Sequence, residues 1–138
     1  MSGTYELQLG LYNKLAADLP LMALVTAVYD NPPQQDDPES NVPFPFLTIS
    51  DSTAQPWDTD TEVGSDVTFT VHVWSRASHA IEAKQIQGAI YQALHRDTIP
   101  VTGYTVIGID LVNQTVERDP DGITRHGIQD FRIVYEEA

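Results

Sequence analysis

The stretch that decides the fold runs from Pro43 to Arg76. It reads PFPFLTIS over 43–50, DSTAQPWDTDTEVGSD over 51–66 and VTFTVHVWSR over 67–76. Both ends have the short β-branched and aromatic runs of strands. From Val67 to Trp74 the residues alternate strictly. Val67, Phe69, Val71 and Val73 fall on one side, and Thr68, Thr70, His72 and Trp74 on the other, as a half-buried strand requires. Phe44 to Ser50 reads as a second strand, with Pro45 confining it to an edge or to its first residues. The middle carries Asp51, Asp58, Asp60, Glu62 and Asp66 without a Lys or Arg, and so reads as a long acidic insert between two strands.

Outward from this pair, helices and further strands follow. Tyr5, Leu9, Tyr12, Leu15, Ala16 and Leu19 recur at three- and four-residue spacing and predict one face of an amphipathic helix, capped by Ser2 or Thr4 and ended near Pro20. Leu24 to Tyr29 predicts a brief strand. Asp30 to Pro43, DNPPQQDDPESNVP, has too little apolar surface to order itself and reads as a loop. Beyond Ser75 and Ser78, either of which could cap it, Ala80 to His95 has helical periodicity, with small alanines that allow close packing. Tyr104 to Arg118 predicts a long strand with a bulge near Asn113 and with Ile107, Ile109 and Leu111 buried. The turn Asp119-Pro120-Asp121-Gly122 leads into a partner strand, Arg125 to Tyr135, with Phe131, Ile133 and Tyr135 on one face. The expected fold is α+β: a mostly antiparallel sheet with two main helices packed on one face.

The length of 138 residues fits one domain spanning 1–138. A net charge of −13 opposes binding to duplex DNA or to an anionic membrane, both of which need Lys and Arg. With no Cys, disulfides and thiolate metal sites are excluded. No apolar run approaches the ~20 residues of a membrane span, and the N-terminus lacks the pattern of a signal peptide, so the chain reads as soluble and intracellular at synthesis.

The motifs that could carry chemistry fail on inspection. Asp58-Thr59-Asp60-Thr61-Glu62 opens like a calcium loop, but Val63 stands where that loop needs Gly and Phe69 where it needs a bidentate acid. His72, His79, His95 and His126 show no metal-ligand spacing, so no metal or other cofactor is expected. Nucleophile elbows and glycine-rich phosphate loops are absent. Trp74, at the end of a patterned strand, suits a core or sheet-edge role. Trp57, between Pro56 and Asp58, either folds back or projects as a partner's anchor.

Several separated blocks together carry a resemblance: VYDNPP at 28–33, VPFPFLTISDSTAQPWDTDT at 42–61, VTFTVHVWSR at 67–76, IYQALH at 90–95 and ERDPDGITRHGIQDFRIVYE at 117–136. In that order they resemble the tail-completion family of long-tailed phages, in the variant found in alphaproteobacterial prophages and gene transfer agents. The resemblance implies a structural protein of the virion tail, made in the host cytoplasm, and no enzyme. It implies a six-fold ring of this chain at the head-proximal end of the tail. Such a ring ends the tail tube, meets the tube protein and the head connector or stopper, and lets DNA pass without specific binding. The loop over Asp30 to Pro43 departs from the family in being longer and more acidic.

Within such a ring the acids acquire a physical reading, since a DNA conduit works best with a wall that repels phosphate. Asp36, Asp37 and Glu39 in one loop, and Glu62 beside Asp58 and Asp60 in another, are the expected channel lining, a solvated outer surface being the alternative. Trp57, Asp58 and Asp60 are expected to touch a partner. Arg118, Arg125 and Arg132 are expected to pair with a neighbour's acids. The edge strand near Pro43 to Ser50 and the hairpin over Tyr104 to Tyr135 would supply the contact between copies. Two other readings stand beside this one. A small metal-dependent hydrolase would need converging His, acid or nucleophile residues. An acidic mimic of DNA would bind a basic, DNA-processing partner.

Overall fold

In a computed structural model that describes residues 3–29 and 43–138, the chain forms a five-stranded sheet in the order β1-β2-β3-β5-β4. The strands are β1 (Val28–Tyr29), β2 (Phe46–Pro56), β3 (Gly64–Ser75), β4 (Tyr104–Arg118) and β5 (Arg125–Glu137). All neighbours pair antiparallel except β1, which runs parallel to β2 at Leu47 and Thr48. Helices α1 (Thr4–Ala16), α2 (Leu19–Met22) and α3 (Ile81–Leu94) complete the fold. The core lies between them and one sheet face: Leu7, Leu11 and Leu15 of α1 and Ile86, Ile90 and Leu94 of α3 join Val67, Phe69, Val71, Val73, Phe131, Ile133 and Tyr135. The α+β expectation and the alternation of β3 are both met, and Phe69 stacks on Phe131 within that core.

Several expectations need correction. The strand expected to stop at Ser50 continues to Pro56, and β3 begins at Gly64, so most of the acidic insert is strand and only residues 57–63 form the turn. A register shift between Ser50 and Ser52 lets β2 absorb the extra residue as a bulge and keep pairing. Pro45 lies just outside β2, after a cis Phe44–Pro45 bond, and costs the ladder no donor. The first strand is reduced to Val28–Tyr29.

Helix α1 buries a side that shares only Leu15 with the one its spacing suggested. Leu7, Gly10, Leu11 and Leu15 face inward, whereas Tyr5, Leu9, Tyr12 and Leu19 are exposed. The helix carries apolar residues on two faces, and periodicity alone does not say which one meets the sheet. Gly10 decides it: a Cβ there would come within 2.5 Å of the Pro100 carbonyl oxygen, so this face lies hard against the chain that follows α3. The N-cap is Gly3 at φ 63, without a side-chain cap. Pro20 opens α2 at its first turn, where its missing N–H costs nothing, and Asp18 caps that helix by accepting from the Leu21 N–H at 3.0 Å. Ala80 precedes α3 in place of a serine cap; Ser75 Oγ instead donates to Glu82 Oε1 at 2.7 Å.

In β4, Ile109 is buried as expected, but Ile107 is half exposed, because the register shifts between Val106 and Gly108 and turns its side chain out. The second shift, between Leu111 and Asn113, is the bulge expected near Asn113. The β4–β5 turn forms as its residues dictate. Gly122 takes φ 77 and Asp121 accepts from the N–H groups of Ile123 and Thr124. The β2–β3 turn and the β4–β5 turn lie at opposite ends of the sheet, since Gly64 pairs with Glu136 and Ser75 with Arg125.

Candidate assembly surfaces

The turn over 57–63 is built rather than loose. Trp57 N donates to Gly64 O at 2.9 Å and Gly64 N to Asp58 Oδ1 at 3.1 Å. Thr59 N donates to Glu62 O, and Glu62 N returns a bond to Thr59 Oγ1. A Cβ at Gly64 would meet the Trp57 carbonyl oxygen at 2.6 Å and its ring at 3.1 Å, so Trp57 is folded back over this glycine while its outer part stays exposed. Asp58, Asp60 and Glu62 are exposed around it. Among the described residues no group of three or more His, Asp or Glu could hold a metal ion. Asp36, Asp37 and Glu39 lie outside the described residues.

The three arginines differ. Arg118, at the end of β4, is exposed. Arg125 is half-buried and donates to Ser78 O at 3.3 Å. Arg132 pairs with Asp66 of the same chain through two bonds, 2.9 and 2.7 Å. This pair holds the Asp66 carboxyl below the usual carboxylate range.

Strand edges are arranged differently from expectation. The Phe46 to Thr48 segment of β2 is not an edge, because β1 covers it at Leu47 and Thr48. Beyond it, Ser52 to Pro56 are exposed and, among the described residues, pair only with β3. On the other side β4 is the outermost strand, but α3 and the two residues after it blunt its middle. Arg96 N donates to Ile109 O at 2.8 Å, Leu111 N to His95 Nδ1 at 3.0 Å, and Gln87 Nε2 to Thr115 O at 2.8 Å. Such caps are a common way to keep an edge from uncontrolled pairing. Ile107 and Val112 remain exposed on this strand.

Two features escaped the sequence. Tyr5, Leu9 and Tyr12 of α1 line a shallow apolar groove with Val28 and Tyr29. On the sheet face opposite the helices, Trp74 stacks on His126 with ring centroids 3.9 Å apart and donates to Thr48 Oγ1 at 3.1 Å. His126 in turn stacks on His72, with Nε2 lying 2.6 Å from His72 Nδ1. The period-two spacing put His72 and Trp74 on one face but gave no sign that β5 would bring His126 beside them.

Comparison with known proteins fits this arrangement. Residues 10–136 match the family model described as tail completion protein gp17. Tail completion protein gp17 of Bacillus phage SPP1 is 32% identical over 127 residues, covering 92% of this chain and 90% of that one. Among solved structures, a chain in the virion of a native gene transfer agent particle superposes with a TM-score of 0.81 at 26% identity, over 94% of both chains. The structure of bacteriophage SPP1 gp17 superposes with a TM-score of 0.62 at 30% identity, over 94% of this chain and 88% of that one. The match sets aside the hydrolase reading, since the family is structural. With its sheet, its helical layer and nearly its whole length accounted for, the chain belongs to the tail completion protein gp17 family, the structural proteins of phage and gene transfer agent tails.

Proposed function

We propose that this chain closes into a six-fold ring at the head-proximal end of a phage-like tail. The ring ends the tail tube, joins it to the head connector or stopper protein and leaves a central passage for DNA. The carrying observation is the correspondence, over nearly the full length, with a chain of an assembled gene transfer agent virion. A closed ring needs one surface that fits a different surface of the next copy. The exposed Ser52 to Pro56 segment of β2 and the Ile107 and Val112 side of β4 lie on opposite sides of the sheet, which suits a repeating contact. Arg118 and Arg125 stand near the β4–β5 turn, where they can meet a neighbour's acids. The exposed Asp58, Asp60 and Glu62 support a passage wall that repels phosphate, and the sequence adds Asp36, Asp37 and Glu39 to the same role.

The test is electron cryomicroscopy of the purified chain mixed with its tail tube protein. Six copies around an opening on the tube end are expected. Tubes whose ends carry no copy, or a single central copy, would overturn the proposal. In the same maps, acids of the 57–63 turn on the outer wall would reject their role as lining.

A further inference from the structure

A line of polar contacts crosses the open face of the sheet and has no part in the proposed ring. Ser50 Oγ on β2 lies 2.7 Å from His72 Nε2 on β3. His72 Nδ1 lies 2.6 Å from His126 Nε2 on β5. His126 Nδ1 lies 3.9 Å from Glu117 Oε1 on β4. Four strands are thus tied through two imidazoles.

The proton count of this line is constrained. A nitrogen–nitrogen contact of 2.6 Å accommodates a single proton between the rings. With both rings neutral, two arrangements satisfy it. In one, His126 Nε2–H donates to His72, leaving the lone pair of His126 Nδ1 facing the Glu117 carboxylate. In the other, Ser50 O–H donates to His72 Nε2, His72 Nδ1–H donates to His126 Nε2, and His126 Nδ1–H points toward Glu117. The carboxylate favours the second. A first added proton can enter at His72 Nε2, where the Ser50 hydroxyl turns from donor to acceptor, and the central bond survives. A second added proton must take the His126 Nε2 lone pair. Two N–H groups then meet head-on between two cations whose ring centroids are 4.9 Å apart.

We infer that His72 and His126 form a proton-operated latch on the open face of the sheet. The latch is closed while the pair carries no more than one extra proton and is forced open by the next. Glu117 and Asp119 face His126 from β4 and the turn beyond it and favour its charged form, whereas burial opposes that form and prevails. Asp130, also on β5, is engaged by the Thr70 hydroxyl at 2.7 Å. Among the described side chains, Ser50 of β2 and Trp74 of β3 also touch the pair. Opening withdraws His126 from the indole of Trp74 and so uncovers a surface that the closed pair shields.

The test uses the full chain, labelled with nitrogen-15, followed through its imidazole resonances from about pH 8 to about pH 4. His72 and His126 are expected to titrate as a coupled pair, in two steps separated by more than about one pH unit. In a Trp57→Phe background, the fluorescence of Trp74 is expected to change with the second step. In His126→Gln, His72 is expected to titrate in one step and Trp74 to stay flat; His72→Gln gives the reciprocal reading should the first variant fold poorly. Independent single steps for His72 and His126 in the parent chain, or a Trp74 signal unchanged across the range, would overturn the latch.

Discussion

Arg132 on β5 grips Asp66 on β3 at both carboxylate oxygens, Nε to Oδ1 at 2.9 Å and Nη2 to Oδ2 at 2.7 Å. The two stand on a diagonal of the ladder, since Arg132 pairs with Thr68 and Asp66 with Val134. The Asp66 carboxyl is held below the usual carboxylate range, chiefly by this hydrogen bond. A depressed carboxylate contributes stability above its unfolded pKa and loses it as pH falls through the folded one. Asp66→Asn should therefore lower the melting temperature modestly at neutral pH and flatten its fall in acid, the variant and the parent converging below about pH 4.

Because Arg132 already grips a carboxylate of its own chain, whereas Arg125 reaches only the Ser78 carbonyl, the arginines should respond unequally to charge reversal. Arg118→Glu and Arg125→Glu are expected to weaken assembly with the tail tube protein while the monomer keeps its circular dichroism spectrum. Arg132→Glu should lower the melting temperature of the monomer itself. Sedimentation of mixtures with tube protein, alongside thermal melts, separates the two effects.

The orientation of α1 makes a paired prediction. Leu11 is fully buried and Leu9 is 48% exposed. Leu11→Ala should destabilise the fold by about 2–5 kcal/mol, by lost burial and the cavity left behind. Leu9→Gln should fall within about 0.5 kcal/mol of the parent, as most exposed substitutions do. Urea unfolding of both variants checks the assignment, and a reversed ranking would reject it.

Two helical glycines should respond with opposite signs. At Gly10 a Cβ meets the Pro100 carbonyl oxygen at 2.5 Å, so Gly10→Ala must move backbone and should destabilise by about 1–3 kcal/mol despite its better helix propensity. At Gly88 of α3 nothing lies within 4 Å, so Gly88→Ala should stabilise by about 0.5–1 kcal/mol. Denaturation midpoints of the two variants on either side of the parent value are the expected result.

His126 adds a dependence near neutrality. Burial sets its pKa below that of a free imidazole, so in the acid range the unfolded chain takes up the proton before the folded one does. Stability is then complete above the unfolded pKa and declines as pH falls through the folded one. His126→Gln should shrink the loss of melting temperature between about pH 7 and about pH 5.

How far the sequence could be read depended on whether the signal was local. β3 declares itself because every second residue of Val67 to Val73 is apolar. The turn at Asp119 to Gly122 declares itself because Pro120 and Gly122 allow few backbone conformations. Helix α1 does not, because apolar residues on two faces leave the choice to packing against Pro100. The acidic insert misled because charge reports exposure, not conformation: Ser52 to Gln55 are exposed and still strand, since their ladder bonds go to β3. The histidine pair was invisible for a related reason. His72 and His126 meet only after the β3–β5 register is set, and no spacing within either strand encodes a register with another. The family, by contrast, was legible from several separated blocks, none of which was distinctive alone.

The opposed hairpin turns give the molecule two unlike poles. β3 alone, 12 residues long, holds them about 36 Å apart at ~3.3 Å per residue. One pole displays Asp58, Asp60 and Glu62 without a cation in its turn; the other places Arg118 and Arg125 beside Asp119 and Asp121. Copies related by rotation about a single axis would all point these poles the same way, so charge bias at one pole is multiplied rather than cancelled. An assembly of this kind is a washer with distinguishable sides. It can meet one neighbour below and a chemically different one above, and it cannot be inserted upside down without bringing the wrong charge to each.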